Sequence, residues 1–435
     1  MKKIAIVTNG ILPLPAVKGG GAETLVQQLL DENEKQQKYK FIVYSVLDKQ
    51  AVQAQKKYKY SQFMFVPHKQ DNLLSKIKRF YNRKIYGIKT YPEPIDFKKI
   101  IKLIGKSNVD EIILENTIQP FISYTKKYDK KVWLHLHNDF INTELDNRYV
   151  NLIKNAVNKS AGIITVSNYI KHRVLELENV SSSKIRVLKN CTNLEIFRPL
   201  SFEEKNKYRA KYGIGQDEFA ILFAGRISRE KGVMQLLNVV ENLNKKYSNI
   251  KTIIVGSSKS GTNNIDSYTS DVIAKIKKLG DKVKFTSYIK YKELGNVYNV
   301  ADVAVFPAIW EEPAELTIIE AMACKIPVIT TYSGGIVEYT DKNSSILCNK
   351  DERLEKELEE NIIKIIENKK LSNKIAENGY KKAKEYNVLG IKISKDNELA
   401  AEWYSEPECR RNIYSATKSF TSCAVGFAVQ EGLID

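Results

Sequence analysis

The chain has 435 residues, 43% hydrophobic and 28% charged, the balance of a soluble globular protein long enough for two domains of roughly 150–200 residues each. Its 69 Lys and Arg against 51 Asp and Glu give a net charge of +18. That excess suits nucleic acid, an anionic membrane surface or a phosphate-bearing substrate, and charge alone does not choose among them.

Five cysteines, Cys191, Cys324, Cys348, Cys409 and Cys423, are scattered without a C-x-x-C pair. Neither a zinc site nor a disulfide framework is expected, and a reducing cytoplasm fits best. The start, MKKIAIVTNG, is basic like a signal peptide, but its apolar run covers only Ile4 to Val7, short of the roughly 7–15 residues a signal core needs. It reads as a buried first strand, and no apolar run of about 18 residues is present to span a bilayer.

Along the chain, short apolar runs alternate with helical patterns, the mark of parallel sheets built from βαβ units. Strands are predicted at 4–7, 41–46, 111–115, 132–137 and 162–167. After a polar stretch from about Lys189 to Asp217, the alternation restarts with strands at 219–225, 252–256, 283–289, 303–308 and 327–331. The restart predicts a second doubly wound domain and a cleft between two halves. Open parallel sheets bind ligands at the carboxyl ends of their strands.

Three stretches carry chemistry at such positions. The loop KGGGAE, Lys18 to Glu23, lies between the first strand and an amphipathic helix. Its glycines would let backbone N–H groups approach an anion or a reacting sugar, unless they form a plain turn. The loop has neither the Gly-Lys-Ser/Thr of a Walker A motif nor the spacing G-x-G-x-x-G. In FAGRISREKGVMQLLNVV, Arg226 and Lys231 bracket a loop before a helix N-terminus. Two cations and free N–H groups there could hold a diphosphate, or the cations could simply be solvated.

The third stretch, EEPAELTIIEAMAC, sets Glu312 and Glu320 eight positions apart around Pro313. Pro313 bars regular helix, and Thr317-x-x-Glu320 has capping-box spacing, so a helix is predicted to start near Leu316 or Thr317. Glu312 then stands on the loop and Glu320 on the helix, facing the same cleft mouth, with the helix N-terminus directing positive partial charge between them. Carboxylates on both sides of a diphosphate would accept hydroxyls of a sugar nucleotide. Singly, Glu320 could be only a cap and Glu312 a solvated acid.

The ordered set GGGAE, AGRISREKG, VFPA with EPAELTIIEAMA, and TTYSGGIVE resembles the retaining glycosyltransferases of family 4 over roughly residues 1–388. The fold implied is α/β, GT-B, with two facing Rossmann-like domains: 1–195 on the acceptor side and 196–388 binding the nucleotide sugar. NCTNLEIFRP (190–199) is similar to the interdomain stretch of that family, with Cys191 where glycine is usual. The resemblance implies that Arg226 and Lys231 bind the donor diphosphate, with Leu316 and Thr317 at the adjoining helix start. It gives Glu320 the ribose and Glu312 the donor sugar, lets Gly20 and Gly21 line the reaction site, and makes His137 the cleft histidine, with Glu312 and His137 as the catalytic pair.

Ala314-Glu315 departs from the Phe-Gly usual after Glu-Pro, which adds an acid and leaves the sugar open. No D-x-D triplet occurs, so metal-independent transfer without a cofactor is expected, the leaving charge being met by Arg226, Lys231 and the helix N-terminus. The donor is expected to be a nucleotide diphosphate sugar and the acceptor a saccharide or lipid-linked molecule, with no role for nucleic acid. A non-catalytic nucleotide-binding remnant is the alternative, and a serine hydrolase acting through the C-terminal tail is a minor one.

Two further features fall outside that frame. SKIKRFYNRKIYGIK interleaves Lys76, Lys78, Arg79, Arg83 and Lys84 with Ile77, Phe80 and Tyr81, as an interfacial helix at an anionic cytoplasmic leaflet would, or a solvated basic face. From about residue 389 the chain reads differently. Ser415-Ala-Thr-Lys418 is an S-x-x-K motif, and with Tyr414 and Phe420 it resembles the N-terminal part of serine β-lactamase and penicillin-binding-protein-like hydrolases. Residues 389–435 are therefore expected to be a fragment of such a hydrolase that lacks the rest of its site.

Overall fold

The computed structural model describes residues 1–69, 73, 76–77, 80–81, 84, 94–117, 131–140, 147–177, 179–257, 266–385, 390–395 and 398–404; for 131, 147–149, 152 and the residues beyond 390 this is the backbone alone. Residues Met1–Asn387 form one compact unit and Val388–Asp435 another.

The first unit contains two parallel sheets. In the first, β1 (Lys3–Val7), β2 (Lys40–Val46), β3 (Ser61–Val66), β4 (Glu111–Glu115), β5 (Lys131–Leu136), β6 (Gly162–Thr165) and β7 (Ile185–Val187) lie in the order β3-β2-β1-β4-β5-β6-β7. In the second, β8 (Phe219–Ala224), β9 (Ile250–Val255), β10 (Val283–Ser287), β11 (Val303–Phe306), β12 (Val328–Thr331) and β13 (Ile346–Cys348) lie in the order β10-β9-β8-β11-β12-β13. Both repeat the doubly wound order, with the winding reversing between the first strand of each sheet and its neighbour β4 or β11.

All ten predicted strands are present. The shortest, β7 and β13, have three residues each, and they and the edge strand β3 are absent from the sequence prediction. A strand this short leaves no periodicity to read.

The side-chain alternation of a strand explains the layers. Ile4 and Ile6 of β1 pack with Val26 and Leu30 of the helix Gly21–Gln36. Ala5 and Val7 point the other way, into the core built with Ile100 and Ile104 of the helix Phe97–Lys106. In β8 the same division puts Ile221 and Phe223 against the helix Val233–Lys246, and Ala220, Leu222 and Ala224 against the core that contains the helix Leu316–Ala323.

Side chains from the second half tie the two sheets together. Glu338 accepts hydrogen bonds from the backbone N–H groups of Asn168 (2.9 Å) and Tyr169 (2.7 Å), at the start of the first-half helix Asn168–Leu175. A carboxylate is well placed there, against the positive end of the helix dipole. The Tyr339 hydroxyl, fully buried, donates to Val166 O at 2.8 Å and accepts from Asn190 N at 2.8 Å. Gln28 Nε2 donates to the Tyr291 hydroxyl at 2.8 Å.

In the second unit, β14 (Gly390–Lys395) and β15 (Glu398–Tyr404) pair antiparallel, from Gly390 opposite Tyr404 to Lys395 opposite Glu398. This hairpin was not expected from the sequence, and residues 405–435, including the S-x-x-K motif, lie outside the described residues. Of the basic stretch at 75–89, Lys76, Ile77, Phe80, Tyr81 and Lys84 are described; they are helical and exposed, with Lys84 Nζ 5.3 Å from the Phe80 ring centroid. Lys78, Arg79 and Arg83 lie outside the described residues.

Tyr339→Phe removes one hydroxyl of the second half and strands two buried backbone groups of the first, at Val166 and Asn190. It is expected to cost about 1–3 kcal/mol and to lower the thermal midpoint by ~2–4 °C, read by differential scanning fluorimetry. An unchanged midpoint would mean that this tie does not hold the halves together.

Candidate functional site

The predicted site residues lie on the loops, and at the starts of the helices, that follow the carboxyl ends of strands at or beside the two reversal points. From the first sheet come the loop after β1 and the ends of β4 and β5; from the second, the loops after β8 and β11. Topology thus gathers residues distant in sequence into the crevices where open parallel sheets bind ligands.

Gly20 has φ +100 and immediately precedes the helix Gly21–Gln36; a Cβ there would come within 2.2 Å of Glu23 Oε2. The positive φ therefore favours glycine at this turn. A Cβ at Gly21 would lie 3.6 Å from Leu316 Cδ1, so this loop meets the start of the second-half helix Leu316–Ala323. Glu23 beneath it is buried, and burial raises its carboxyl to about 7.

His137 lies one residue past β5 and is buried, with Nε2 2.9 Å from Glu115 Oε2. His135 Nδ1 is also 2.9 Å from that oxygen, and the two imidazole centroids are 4.1 Å apart. Burial would raise Glu115, but the His135 and His137 contacts hold it down at about 2. Burial, assisted by His135, lowers His137 below its ordinary value, which favours a neutral ring at pH 7. One ligand atom from each of Glu115, His135 and His137 lies within 4.8 Å of the others, a spacing a metal ion could also use. The sequence reading missed Glu115 and His135. The available signal was the H-x-H pair on one strand face and the register that sets Glu115 opposite His135.

On the second half, Arg226 is exposed whereas Lys231 is largely buried, its side chain 15% exposed. Lys231 Nζ is 2.7 Å from Glu315 Oε1 and pairs also with Glu312 Oε1. Burial alone would lower the ammonium's pKa; the Glu315 and Glu312 carboxylates overcome this and raise it. Burial raises Glu315 to about 6, with Glu312 adding to the shift and Lys231 opposing it.

Glu312 is thus no solvated loop acid. Trp310 Nε1 donates to its Oε1 at 2.6 Å, its backbone N–H donates to Ser333 Oγ at 3.0 Å, and its carbonyl accepts from Gly335 N at 2.6 Å. A Cβ at Gly334 would come within 2.3 Å of that carbonyl oxygen, so the SGG turn after β12 is pressed onto the Glu312 backbone.

The helix starts at Leu316, as predicted, but the expected capping box does not form. Glu315 occupies the N-cap position without capping, its side chain turned to Lys231. Glu320 is buried and accepts from the Tyr298 hydroxyl at 2.8 Å, rather than reaching back to the first turn or standing open at the cleft mouth. Leu316 and Thr317 occupy the first turn, where N–H groups have no intrahelical acceptor.

Burial raises Glu320 to about 7, against 4.5 for an ordinary glutamate. Its folded form therefore holds a proton that the unfolded chain releases between those values, and stability falls as pH rises through that window. Glu320→Gln keeps an acceptor for Tyr298 and removes the charge. It is expected to stabilise the protein by ~1–3 kcal/mol at pH 8 and to change little at pH 5, measured by denaturant unfolding. Equal effects at both pH values would contradict the burial of a titrating carboxyl.

The domain described as Glycosyltransferase Family 4 matches residues 19–196, and the domain described as glycosyl transferases group 1 matches residues 204–382. An uncharacterised glycosyltransferase of Methanocaldococcus jannaschii is 32% identical over 181 residues, covering 41% of this chain and 44% of that protein. The lipopolysaccharide 1,2-N-acetylglucosaminetransferase of Salmonella typhimurium is 24% identical over 265 residues, 59% of this chain and 65% of that protein. The chain spans about half the length of the curated relatives it matches. The crystal structure of Anabaena HepE in complex with UDP-glucose superposes with a TM-score of 0.68, over 89% of this chain and 95% of that one at 19% identity, and so shares its fold. Residues 19–196 are thus similar to a Glycosyltransferase Family 4 domain and residues 204–382 to a group 1 domain of the glycosyl transferases, in a chain with the GT-B fold.

Proposed function

We propose that the chain is a retaining glycosyltransferase that moves a sugar from a nucleotide diphosphate sugar to a saccharide or lipid-linked acceptor in cell-surface polysaccharide synthesis. The observation that carries this reading is the buried Lys231 held by two carboxylates beside the start of the helix Leu316–Ala323. Cation and helix N-terminus together suit a diphosphate. Support comes from the two matched domains and from HepE, whose structure is in complex with UDP-glucose.

In this reading Lys231, Arg226 and the first-turn N–H groups at Leu316 and Thr317 take up the charge that develops on the leaving diphosphate. Glu312 accepts donor-sugar hydroxyls and Glu320 the ribose. Gly20 and Gly21 leave room for the reacting centre, and His137, oriented by Glu115, faces the sugar. The acceptor attacks from the face the diphosphate leaves, and the departing phosphate takes the acceptor proton, so configuration is retained. The cations make transfer independent of a metal. The protein works in the cytoplasm, with the basic stretch around residues 76–84 at the inner membrane face.

A second reading, a nucleotide-binding remnant without transfer, draws on Glu315, which occupies the cation that the first reading gives to phosphate. Donor turnover separates the two. Lys231→Ala is expected to lower kcat/KM for a nucleotide sugar by at least about 10-fold, the loss of a charged hydrogen bond of ~1.5–3 kcal/mol. Glu312→Gln should lower kcat while leaving nucleoside diphosphate affinity within about 2-fold, and EDTA should leave turnover unchanged. Normal kinetics in Lys231→Ala, or equal loss of nucleotide affinity in Glu312→Gln, would remove these assignments.

A further inference from the structure

Lys231 is the cation that the proposed function assigns to the donor diphosphate, yet both carboxylates nearest it belong to the protein. Glu312 is also fixed by Trp310, by Ser333 and by the turn at Gly335. Glu315 is held differently. Its Oε1 contacts Lys231 at 2.7 Å, while its buried Oε2 makes no well-formed hydrogen bond among the described residues, the Thr317 hydroxyl being the nearby donor that draws its carboxyl down. Glu315 itself is 5% exposed. A carboxylate with one oxygen on a cation and the other met only loosely by a hydroxyl is a weaker hold on Lys231 than one fixed by three further contacts, because a poorly matched desolvated oxygen carries a cost.

The charges make the same point. One ammonium faces two carboxylates, a net charge of −1 if all are ionised. A diphosphate entering this pocket adds at least two more negative charges beside Glu315, in surroundings that screen them poorly. Glu320 and the Tyr298 hydroxyl, facing Glu315 from the helix Leu316–Ala323 and the helix Tyr291–Tyr298, bring no positive charge. The least costly way to admit the ligand is to neutralise Glu315 and pass Lys231 to the phosphate.

We propose that Glu315 is a positioning residue acting through Lys231: it occupies the ammonium as an internal competitor of the diphosphate, and binding of a nucleoside diphosphate is coupled to uptake of one proton from solvent by its carboxylate. This rests on the assignment of Lys231 to the diphosphate. Glu315 titrates in a suitable range, since burial raises it to about 6. Above that value its charge opposes the ligand, and below it the competition disappears. Glu312 remains to pair Lys231 in either state, so the site keeps its cation in place while the second partner changes.

The test is calorimetric titration of UDP and of GDP into the full chain, comparing wild type, Glu315→Gln, Glu315→Gly and Lys231→Ala, with folding of each checked by circular dichroism. At pH 8 Glu315→Gln and Glu315→Gly should bind the preferred diphosphate at least about 5-fold more tightly than wild type, and at pH 5.5 the difference should shrink below about 2-fold. The phosphate and Glu320 also titrate in this window, but they are common to wild type and variants and cancel in the ratio. At pH 7 the binding enthalpy of the wild type should vary with the ionisation enthalpy of the buffer in the sense of proton uptake, and that of Glu315→Gln should vary less. Equal affinities at pH 8, or a ratio that does not change with pH, would overturn the role of Glu315 even if Lys231→Ala loses affinity as the site assignment requires. Undiminished affinity in Lys231→Ala, or no binding of either diphosphate to any form, would instead remove the site assignment and this inference with it.

Discussion

A buried ammonium must be matched by negative charge, and much of the candidate site is arranged around that requirement at Lys231. The lysine ends a three-residue 3₁₀ turn, Arg229–Lys231, and precedes Gly232, whose φ of +69 reverses the chain into the next helix. A Cβ at Gly232 would come within 1.9 Å of Pro307 O, so the turn is locked against the strand end that leads to Glu312 and Glu315. Removing either carboxylate leaves the other as partner, whereas removing the lysine would leave two acids buried together. This asymmetry makes Lys231 the group on which the pocket depends.

The same economy recurs elsewhere. Among the described residues Glu23, Glu115, Glu312, Glu315 and Glu320 are buried, and of these Glu312 and Glu315 share the ammonium of Lys231. Glu115 finds two imidazoles, Glu320 a tyrosine hydroxyl, and Glu23 and Glu320 are raised towards neutrality by burial. A chain with a net charge of +18 thus keeps a locally acidic interior at the ends of its strands. Hydroxyl-rich ligands suit such a surface, with the cationic charge restricted to the positions where a phosphate would lie.

The pattern of buried strands was readable because each fully buried parallel strand is a continuous apolar run, and the motifs after them place Gly20, Gly21, Arg226, Lys231, Glu312 and Glu320 on the segments that follow β1, β8 and β11. Partners were not readable. That Glu320 faces Tyr298, that Glu315 turns from the helix start to Lys231, and that Glu115 lies between His135 and His137 are consequences of tertiary packing. Capping-box spacing at Thr317 and Glu320 misled because spacing fixes only which residues could meet. The buried setting of Glu320 gave it a better donor. The edge strands β7 and β13, three residues each, were missed for a simpler reason, too few residues to show a period.

The central claim is that the loops ending at Lys231 and at the start of the helix Leu316–Ala323 form the nucleotide-diphosphate pocket. Hydrogen–deuterium exchange with and without saturating UDP or GDP tests it directly. The account predicts slowed exchange in peptides spanning 225–233 and 311–320, with smaller changes around 19–23. Protection confined to other segments, or no change at ligand saturation, would contradict it.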